Sequence, residues 1–503
     1  MGYEQLAAVD LGSNSFRLEV GRVVGNQIYS LDSLKEFVRL ASGLSAGKIL
    51  NDEAQQRGLE TLSRFGERLR GFQPKAVRAV ATNTLRVAKN AKVFIAKAEA
   101  TLGFPIEIIG GREEARLIYL GVSRATPPVR HKRLVVDIGG GSTEFIIGKK
   151  IEPLAMASLF MGCVGDSLRF FPDGKIDKKR FSDAELSAAR KIEMIAHDYQ
   201  AIGWTEAVAS SGTARAIADI LEINRLNPDG ASGISREGLE KLKNQLIRAG
   251  SATALKLEGI RPDRVPVFPG GVAIMSAVFS ALKIERMSYA GGALRLGVLY
   301  DLLGRFDQRD MRDTTVQQFM QRYQVDTKQV TRVERAALQL LGQLIPATQA
   351  EHENEVRFLR WAVALHEIGI SIAHGGFHRH GSYIIQSADM PGFSKKDQEQ
   401  LALLILGQRG KMEKLPLIPS TDPIWRLIFC LRVSALLYRS RDNLVLPAVQ
   451  VKMTATGFSI ELPTAWLQAN PLTVDALGDE IMNWQKVGWQ LRVRRRSSVL
   501  MQG

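Results

Sequence analysis

The chain lacks most of what would tie it to an oxidising compartment, a membrane or a nucleic-acid code. Its 503 residues hold only two cysteines, Cys163 and Cys430, far apart in sequence. That spacing excludes a disulfide framework and makes a reducing cytosol the expected compartment. No apolar run is long enough to span a bilayer, and the longer ones, such as 425–437, are broken by arginine. The start, Met1-Gly2-Tyr3-Glu4-Gln5, has no basic segment followed by an apolar one, so a cytoplasmic protein without an integral membrane segment is expected, at most peripheral to a membrane. A Gly-x4-Gly-Lys-Ser/Thr loop is missing, which excludes a P-loop nucleotide enzyme. There is no aromatic-rich binding motif and no helix that reads as a recognition element, so a sequence-specific nucleic-acid partner is not expected. Fixed-period repeats and low-complexity tracts are absent too.

What is present is basic and long. A formal net charge of +15 favours a polyanionic partner, and 503 residues are enough for several domains with their own cores. Two short loops carry most of the information: Asp10-Leu11-Gly12-Ser13-Asn14-Ser15 and Asp137-Ile138-Gly139-Gly140-Gly141-Ser142-Thr143. Each lies between two apolar runs and reads as strand, tight turn, strand, with an acid closing the first strand. Small residues let the backbone approach a bound group, and successive N–H groups with hydroxyls cradle anions. An aspartate beside such a cradle suits a divalent cation bound to the same phosphate. The device occurs twice, which points to two related half-domains facing one cleft and a metal-bound phosphate chain as ligand.

Strands and helices alternate through the first part. A hairpin turns at Gly25-Asn26, a helix runs over about 51–69 with Asn51 or Asp52 as N-cap, and a strand at 76–80 leads into Thr82-Asn83-Thr84-Leu85-Arg86. A strand at 105–109 precedes Gly110-Gly111 and a helix carrying Glu113, Glu114 and Arg116. Strand-to-helix turns are expected at Ser210-Ser211-Gly212-Thr213, Pro269-Gly270-Gly271 and Gly291-Gly292. This alternation argues an α/β architecture. From about Phe306 apolar residues take helical spacing, with 304–315 as the candidate linker, and β-branched alternation returns near Val449. The basic run Arg492, Arg494, Arg495 and Arg496 reads either as a solubilising tail or as a guide for a long polyanion.

Glu113 and Glu114 can be read in two ways. Acids favour a helix N-terminus through the macrodipole, and a carboxylate there can equally serve as general base for water attacking phosphorus. Adjacent helical residues point about 100° apart, so only one of them can face a cleft squarely.

In order along the chain, these motifs resemble the exopolyphosphatase and guanosine pentaphosphate phosphohydrolase family. The likeness extends through Met161-Gly162-Cys163-Val164, Gly292-Ala293-Leu294-Arg295, Leu365-His366-Glu367-Ile368-Gly369 and His378-Arg379-His380-Gly381. It covers nearly the whole chain and is nearest to the full-length bacterial exopolyphosphatases. Leu296 stands where family patterns place an acid, and His366-Glu367 replaces the His-Asp pair of a working HD metal site.

The resemblance implies two ribonuclease H-like domains of the actin and sugar-kinase superfamily around a cleft (1–117 and 118–303). A helical, degenerate HD-like domain (304–444) and a small C-terminal α+β domain (445–503) would follow. It implies Glu114 as catalytic base, with Arg86 neutralising phosphate charge, and Asp137, Glu144 and Asp10 as ligands of Mg²⁺, or Mn²⁺ in its place. K⁺ is a candidate activator. Ser13, Asn14, Gly140, Gly141, Ser142, Thr143, Ser211, Gly212, Thr213 and Arg295 would hold substrate. His352, His366, His374, His378 and His380 could suggest a second metal centre. His366 fits better as a cap or packing residue, and His378-Arg379-His380 as a contact to anionic substrate. The expected activity is processive removal of terminal phosphate from inorganic polyphosphate by a homodimer. The alternatives are hydrolysis of guanosine pentaphosphate to the tetraphosphate in the same cleft and an actin-like ATPase or sugar kinase.

Overall fold

The structure is a computed structural model that describes residues 3–255, 257–306, 310–345, 352–443 and 445–496, without the side chains of Asp229, Phe306 and His352. It divides into two compact units, Met1–Met311 and Arg312–Gly503. Among the described residues no helix is long and apolar enough to cross a membrane.

The first unit repeats one plan. Strands β1 (Gln5–Leu11), β2 (Phe16–Val24), β3 (Gln27–Glu36), β4 (Val77–Ala81) and β5 (Ile106–Ile108) form a sheet in the order β3-β2-β1-β4-β5. The first three are antiparallel, and β4 and β5 join parallel to β1. Strands β6 (Lys132–Ile138), β7 (Thr143–Lys149), β8 (Glu152–Leu159), β9 (Glu206–Ser210), β10 (Ile234–Ser235) and β11 (Arg286–Tyr289) follow as β10-β11-β9-β6-β7-β8. Both sheets have the ribonuclease H-like order, a three-stranded meander extended by parallel strands, and the second gains β10 at its edge.

The central strands are apolar on both sides because both faces are covered. In β1, Ala7, Val9 and Leu11 enter one core while Leu6 and Ala8 enter another, shared with Val298, Leu299 and Leu302 of helix Leu294–Phe306. In β6, Leu134, Val136 and Ile138 face one side and Val135 the other. The last helix of the unit therefore returns to the first sheet. The expected boundaries at 117 and 303 fall inside helices Gly111–Ala125 and Leu294–Phe306.

Two local expectations change. No strand precedes Pro269: Val265–Val267 is a 3-10 turn running into helix Phe268–Ala281, because Pro266 offers no ladder N–H and Pro269 suits a first helical turn. Of the candidate linker 304–315, residues 304–306 complete one helix, 307–309 lie outside the described residues, and Met311 opens helix Met311–Arg322.

The second unit is helical, through Thr327–Leu344, His352–Leu365, Phe377–Ser387, Lys395–Gly407 and Ile424–Leu437, and ends in a small α+β domain. Its sheet, β12 (Gln450–Thr454), β13 (Gly457–Pro463) and β14 (Gln490–Arg496), packs with helix Pro471–Gln485. The seam is aromatic: Phe429 stacks on Phe458 at 4.2 Å, and Trp425, Trp484 and Trp489 close around them. The basic run is part of β14, where Glu461 pairs in register with Arg494, so it is strand and not a free tail. Arg432, which interrupts the apolar run, is buried and held by Glu480 and by the Gly407 and Gly410 carbonyls. His366 is a packing residue, its Nδ1 2.6 Å from the Val363 carbonyl. The His352 side chain lies outside the described residues.

A buried ion cluster ties helix Leu294–Phe306 to the first sheet and to helix Gly111–Ala125. Asp301 takes bonds from Arg78 (2.7 Å), Arg116 (2.5 Å) and Arg305 (3.2 Å), while Arg116 grips Glu113 at 2.7 and 2.8 Å. Arg78 also reaches Glu107 at 3.0 Å. Although burial opposes its charge, the Arg116, Arg78 and Arg305 guanidiniums hold the Asp301 carboxyl well below the usual range. A depressed carboxyl stabilises the fold above its unfolded pKa of about 3.9 and loses that contribution as pH falls toward its folded value. Asp301→Asn strands buried arginines and is expected to cost about 3–5 kcal/mol at neutral pH. Urea unfolding at pH 7 and pH 3 checks this, the difference between wild type and variant narrowing at the lower pH.

Candidate active site

The two signature loops are the turns of equivalent hairpins. Leu11 pairs with Phe16 around Gly12-Ser13-Asn14-Ser15, and Ile138 pairs with Thr143 around Gly139-Gly140-Gly141-Ser142. One pair further back, Asp10 lies across from Arg17 and Asp137 across from Glu144. The turns meet face to face. A Cβ on Gly140 would come within 2.9 Å of the Ser13 Cβ, and one on Gly141 within 2.7 Å of the Asn83 Oδ1. A cavity of about 500 Å³ opens along them, between the two half-domains of the first unit.

That cavity gathers most of the residues picked from the sequence. Asp10, Ser13, Asn14, Glu114, Asp137, Gly140, Gly141, Ser142, Ser211, Gly212, Thr213 and Arg295 all line it. Three do not. Thr143 is fully buried and its hydroxyl donates to the Met161 carbonyl at 2.8 Å. Glu144 is buried behind the turn and accepts from the Ser158 hydroxyl at 2.8 Å. Arg86 donates to the Ile109 carbonyl (2.9 Å) and to Glu114 Oε2 (3.1 Å), so it holds the carboxylate and does not stand free in the cleft. Glu113 turns to Arg116 and Glu114 to the cavity, the split that adjacent helical positions require. Ser211 has φ +89°, a strained backbone for a non-glycine residue, and its Oγ accepts from the Thr213 and Ala214 N–H groups at 3.2 Å.

The cleft concentrates negative charge without enough water to carry it. Burial raises Glu114 to about 7 against the opposing Arg86, with Asp10 and Asp137 adding to the rise. Asp137 is raised to about 6 by burial, with Asp10 adding to the effect, and Asp10 is raised by burial against Arg295 and Arg17. Glu144 is pushed well above its ordinary value by burial and by the charges of Glu114 and Asp137. Asp10 Oδ1 is inaccessible and has no hydrogen-bond partner, and the same holds for the amide nitrogens of Asn14 and Asn83. An orphaned carboxylate oxygen and two orphaned amide donors on residues lining one cavity fit a cation together with a phosphate. Among the described residues no three His, Cys, Asp or Glu side chains form a ready-made metal cage. The donor set therefore suits an ion that takes one or two carboxylates and completes its shell from phosphate and water, the habit of Mg²⁺.

The profile of the Ppx/GppA phosphatase family matches residues 20–306, and that of Ppx/GppA phosphatase domain III matches 311–481. The chain belongs to this family. A guanosine-5'-triphosphate,3'-diphosphate pyrophosphatase of Aeromonas hydrophila is 38% identical over 492 residues, 97% of this chain and 98% of its own. A protein of that name from Pseudoalteromonas translucida is 36% identical over 490 residues, with the same shares covered. Among solved structures, an exopolyphosphatase from Cytophaga hutchinsonii aligns with a TM-score of 0.53 at 25% identity, over 60% of this chain and 98% of that one. The Aquifex aeolicus family member aligns at 0.51 and 22%, over 60% and 98%.

As a Ppx/GppA phosphatase the protein is a hydrolase acting on phosphoric anhydride bonds. The expectation of an exopolyphosphatase is corrected. Relatives matched over 96–97% of this chain at 36–38% identity carry the guanosine pyrophosphatase name. Sequence reading also missed the basic wall of the cleft: Arg17, Lys35, Arg261 and Arg264. Lys35 is lowered to about 7 by burial and by Arg17, Arg264 and Arg261. Arg264 is buried over Gly212, with its Nε unbonded. Arg17 and Lys35 face each other across β2 and β3, while Arg261 and Arg264 come from a segment more than two hundred positions later, which no local pattern announces. Gly141→Ala would push a methyl onto Asn83, an overpacking worth about 1–3 kcal/mol. Thermal unfolding should show that loss, and phosphate release by the variant should fall with it.

Proposed function

We propose that the protein hydrolyses guanosine pentaphosphate (guanosine 5'-triphosphate 3'-diphosphate) to the tetraphosphate, releasing orthophosphate from the 5' end. The full-length relatives of that name carry the reading, and the cleft supports it. One end offers two opposed turns and buried carboxylates for a metal-bound triphosphate tail, and the wall of Arg17, Lys35, Arg261 and Arg264 offers cations for a second phosphate group on the same molecule. A linear phosphate chain has no second branch for that wall.

In this reading Glu114 takes the proton of the attacking water, and burial keeps its pKa near the working pH, where a general base is effective. Arg86 holds that carboxylate in place. Ser13, Asn14, Asn83 and the Gly140–Ser142 turn donate to the equatorial oxygens of the transferred phosphoryl group, which needs positioning and charge stabilisation more than covalent help. Asp10 and Asp137 would hold Mg²⁺, which when bound neutralises phosphate charge and orients the terminal group. Glu144 sits behind them and shapes their field. A homodimer belongs to the same proposal and is read by light scattering as twice the chain mass.

Glu114→Gln keeps size and removes the base. It is expected to lower kcat by roughly 10²–10⁴ with KM little changed. Full activity in that variant would reassign the base. Asp137→Asn is expected to shift the Mg²⁺ titration of activity to higher concentration, and an unchanged titration would remove it as a ligand. The deciding assay is phosphate release from guanosine pentaphosphate, long-chain polyphosphate and ATP side by side. Preference for the pentaphosphate is expected, and a higher kcat/KM on the polymer or on ATP would overturn the reading.

A further inference from the structure

We propose that the helical unit carries a second anion site, a cavity that takes a small phosphate-bearing molecule away from the phosphate turns of the first unit. The cavity holds about 650 Å³ and is built wholly from the second unit. Its wall is formed by Phe377, Arg409, Gly410 and Arg432, with Arg439 and Arg441 further round. The His378-Arg379-His380 motif, left unused by the chemistry of the first unit, follows Phe377 in the helix that borders the cavity; neither it nor Lys414 is part of the lining itself.

The wall is organised around one loop. Arg432 is buried, neutralised by Glu480, and donates to the Gly407 and Gly410 carbonyls at 2.9 and 2.6 Å, which fixes the loop backbone. Gly410 has φ +74° and no side chain to part its neighbours. An ideal Cβ there would lie 3.6 Å from Lys414 Nζ and 3.7 Å from His378 Nε2, so both nitrogens converge on the same side of the loop. The Arg409 guanidinium lies over the Phe377 ring at 5.4 Å, which leaves its N–H edge available. Helix Phe377–Ser387 begins at Gly376 with no side chain capping it, so its positive end adds to the field.

Among the described residues none of His378, Arg379, Arg409 and Lys414 has a carboxylate within ion-pair distance. Their mutual repulsion is written in their protonation. Lys414 is lowered to about 7 by burial and by Arg432 and Arg379, with Glu480 opposing, and His378 is lowered to about 4 by burial and by Lys414, Arg379, Arg409 and Arg432. Arg441 is spent on Asp326 and Glu367, and exposed Asp479 at the rim is the one lining acid that would oppose an anion there. A half-buried group of cations without counter-charge is stabilised by a bound multivalent anion, and the cavity has room for a nucleotide.

The test is calorimetric titration of the full-length protein with pyrophosphate in the presence of Mg²⁺, followed by GTP and by short-chain polyphosphate. Wild type should show two classes of site. Lys414→Gln and Arg409→Gln should each lose one class, or weaken it at least tenfold, while the rate on guanosine pentaphosphate at saturation stays the same. Lys414→Arg should retain it. Arg409 is exposed, so its variant tests the site even if the Lys414 variant fails to fold. Tighter binding of GTP than of pyrophosphate to the lost class assigns a nucleotide, and equal affinity assigns the bare phosphate group. Either supports the site. A single class in wild type, or two classes undiminished in Arg409→Gln, overturns it, whatever the substrate of the first unit proves to be.

Discussion

Asp10 and Asp137 end equivalent strands and deliver their carboxylates to one crevice that also holds Glu114 and, just behind, Glu144. Like charges in a dry setting repel, and that repulsion is relieved only by protons or by a cation. Burial is the first cause of each raised pKa here, and the neighbouring acids add to it. The surroundings are arranged around this constraint. The turns beside the acids are made of small residues so that backbone can approach, Asn14 and Asn83 line the same cavity, and so do basic residues from three further segments, Arg17, Lys35 and the pair Arg261 and Arg264. A bare carboxylate pocket would be a liability to folding; on the proposed function a metal-bound phosphate converts the same repulsion into ligand binding.

The equivalence of the two hairpins also shows how a repeated plan becomes asymmetric. Arg17 and Glu144 occupy corresponding cross-strand positions, one a cation and the other an acid. The two halves thus differ in charge at the same place, although the backbones around them match. Helix Gly111–Ala125 brings Glu114 to the cleft from outside both sheets. Its start is a pair of glycines without a side-chain cap, and the Glu113–Arg116–Asp301 cluster takes over the work of fixing it. The position of Glu114 depends in this way on an aspartate nearly two hundred positions later in the chain.

The helical unit solves a different problem. It brings basic residues together around a glycine loop and anchors that loop with one buried and neutralised arginine; among the described residues Arg409 and Lys414 have no carboxylate in ion-pair reach, and Lys414 Nζ donates to the Arg409 carbonyl. The HD-like His366-Glu367 pair sits beside this cavity, but the histidine is packed on a carbonyl and the glutamate is tied to Arg441. What remains there is electrostatic, suited to holding an anion.

The sequence by itself determined the elements, because their signals are local. Apolar runs ending in an acid and a small-residue turn specify strand-turn-strand wherever they fold, Asn51 caps its helix as read, and the spacing after residue 311 is helical. It also picked out the two hairpin turns that line the cleft, since those residues are contiguous. Only the tertiary structure decided the rest. Whether Glu113 or Glu114 meets the cleft rests on Asp301 and Arg116; Arg86 proves to hold the carboxylate; Glu144 and Thr143 fall behind the turn. The basic wall and the Gly410 cluster join residues from separate segments, and no local pattern announces such meetings. The charge run near the end pairs as a strand because β13 is there to receive it.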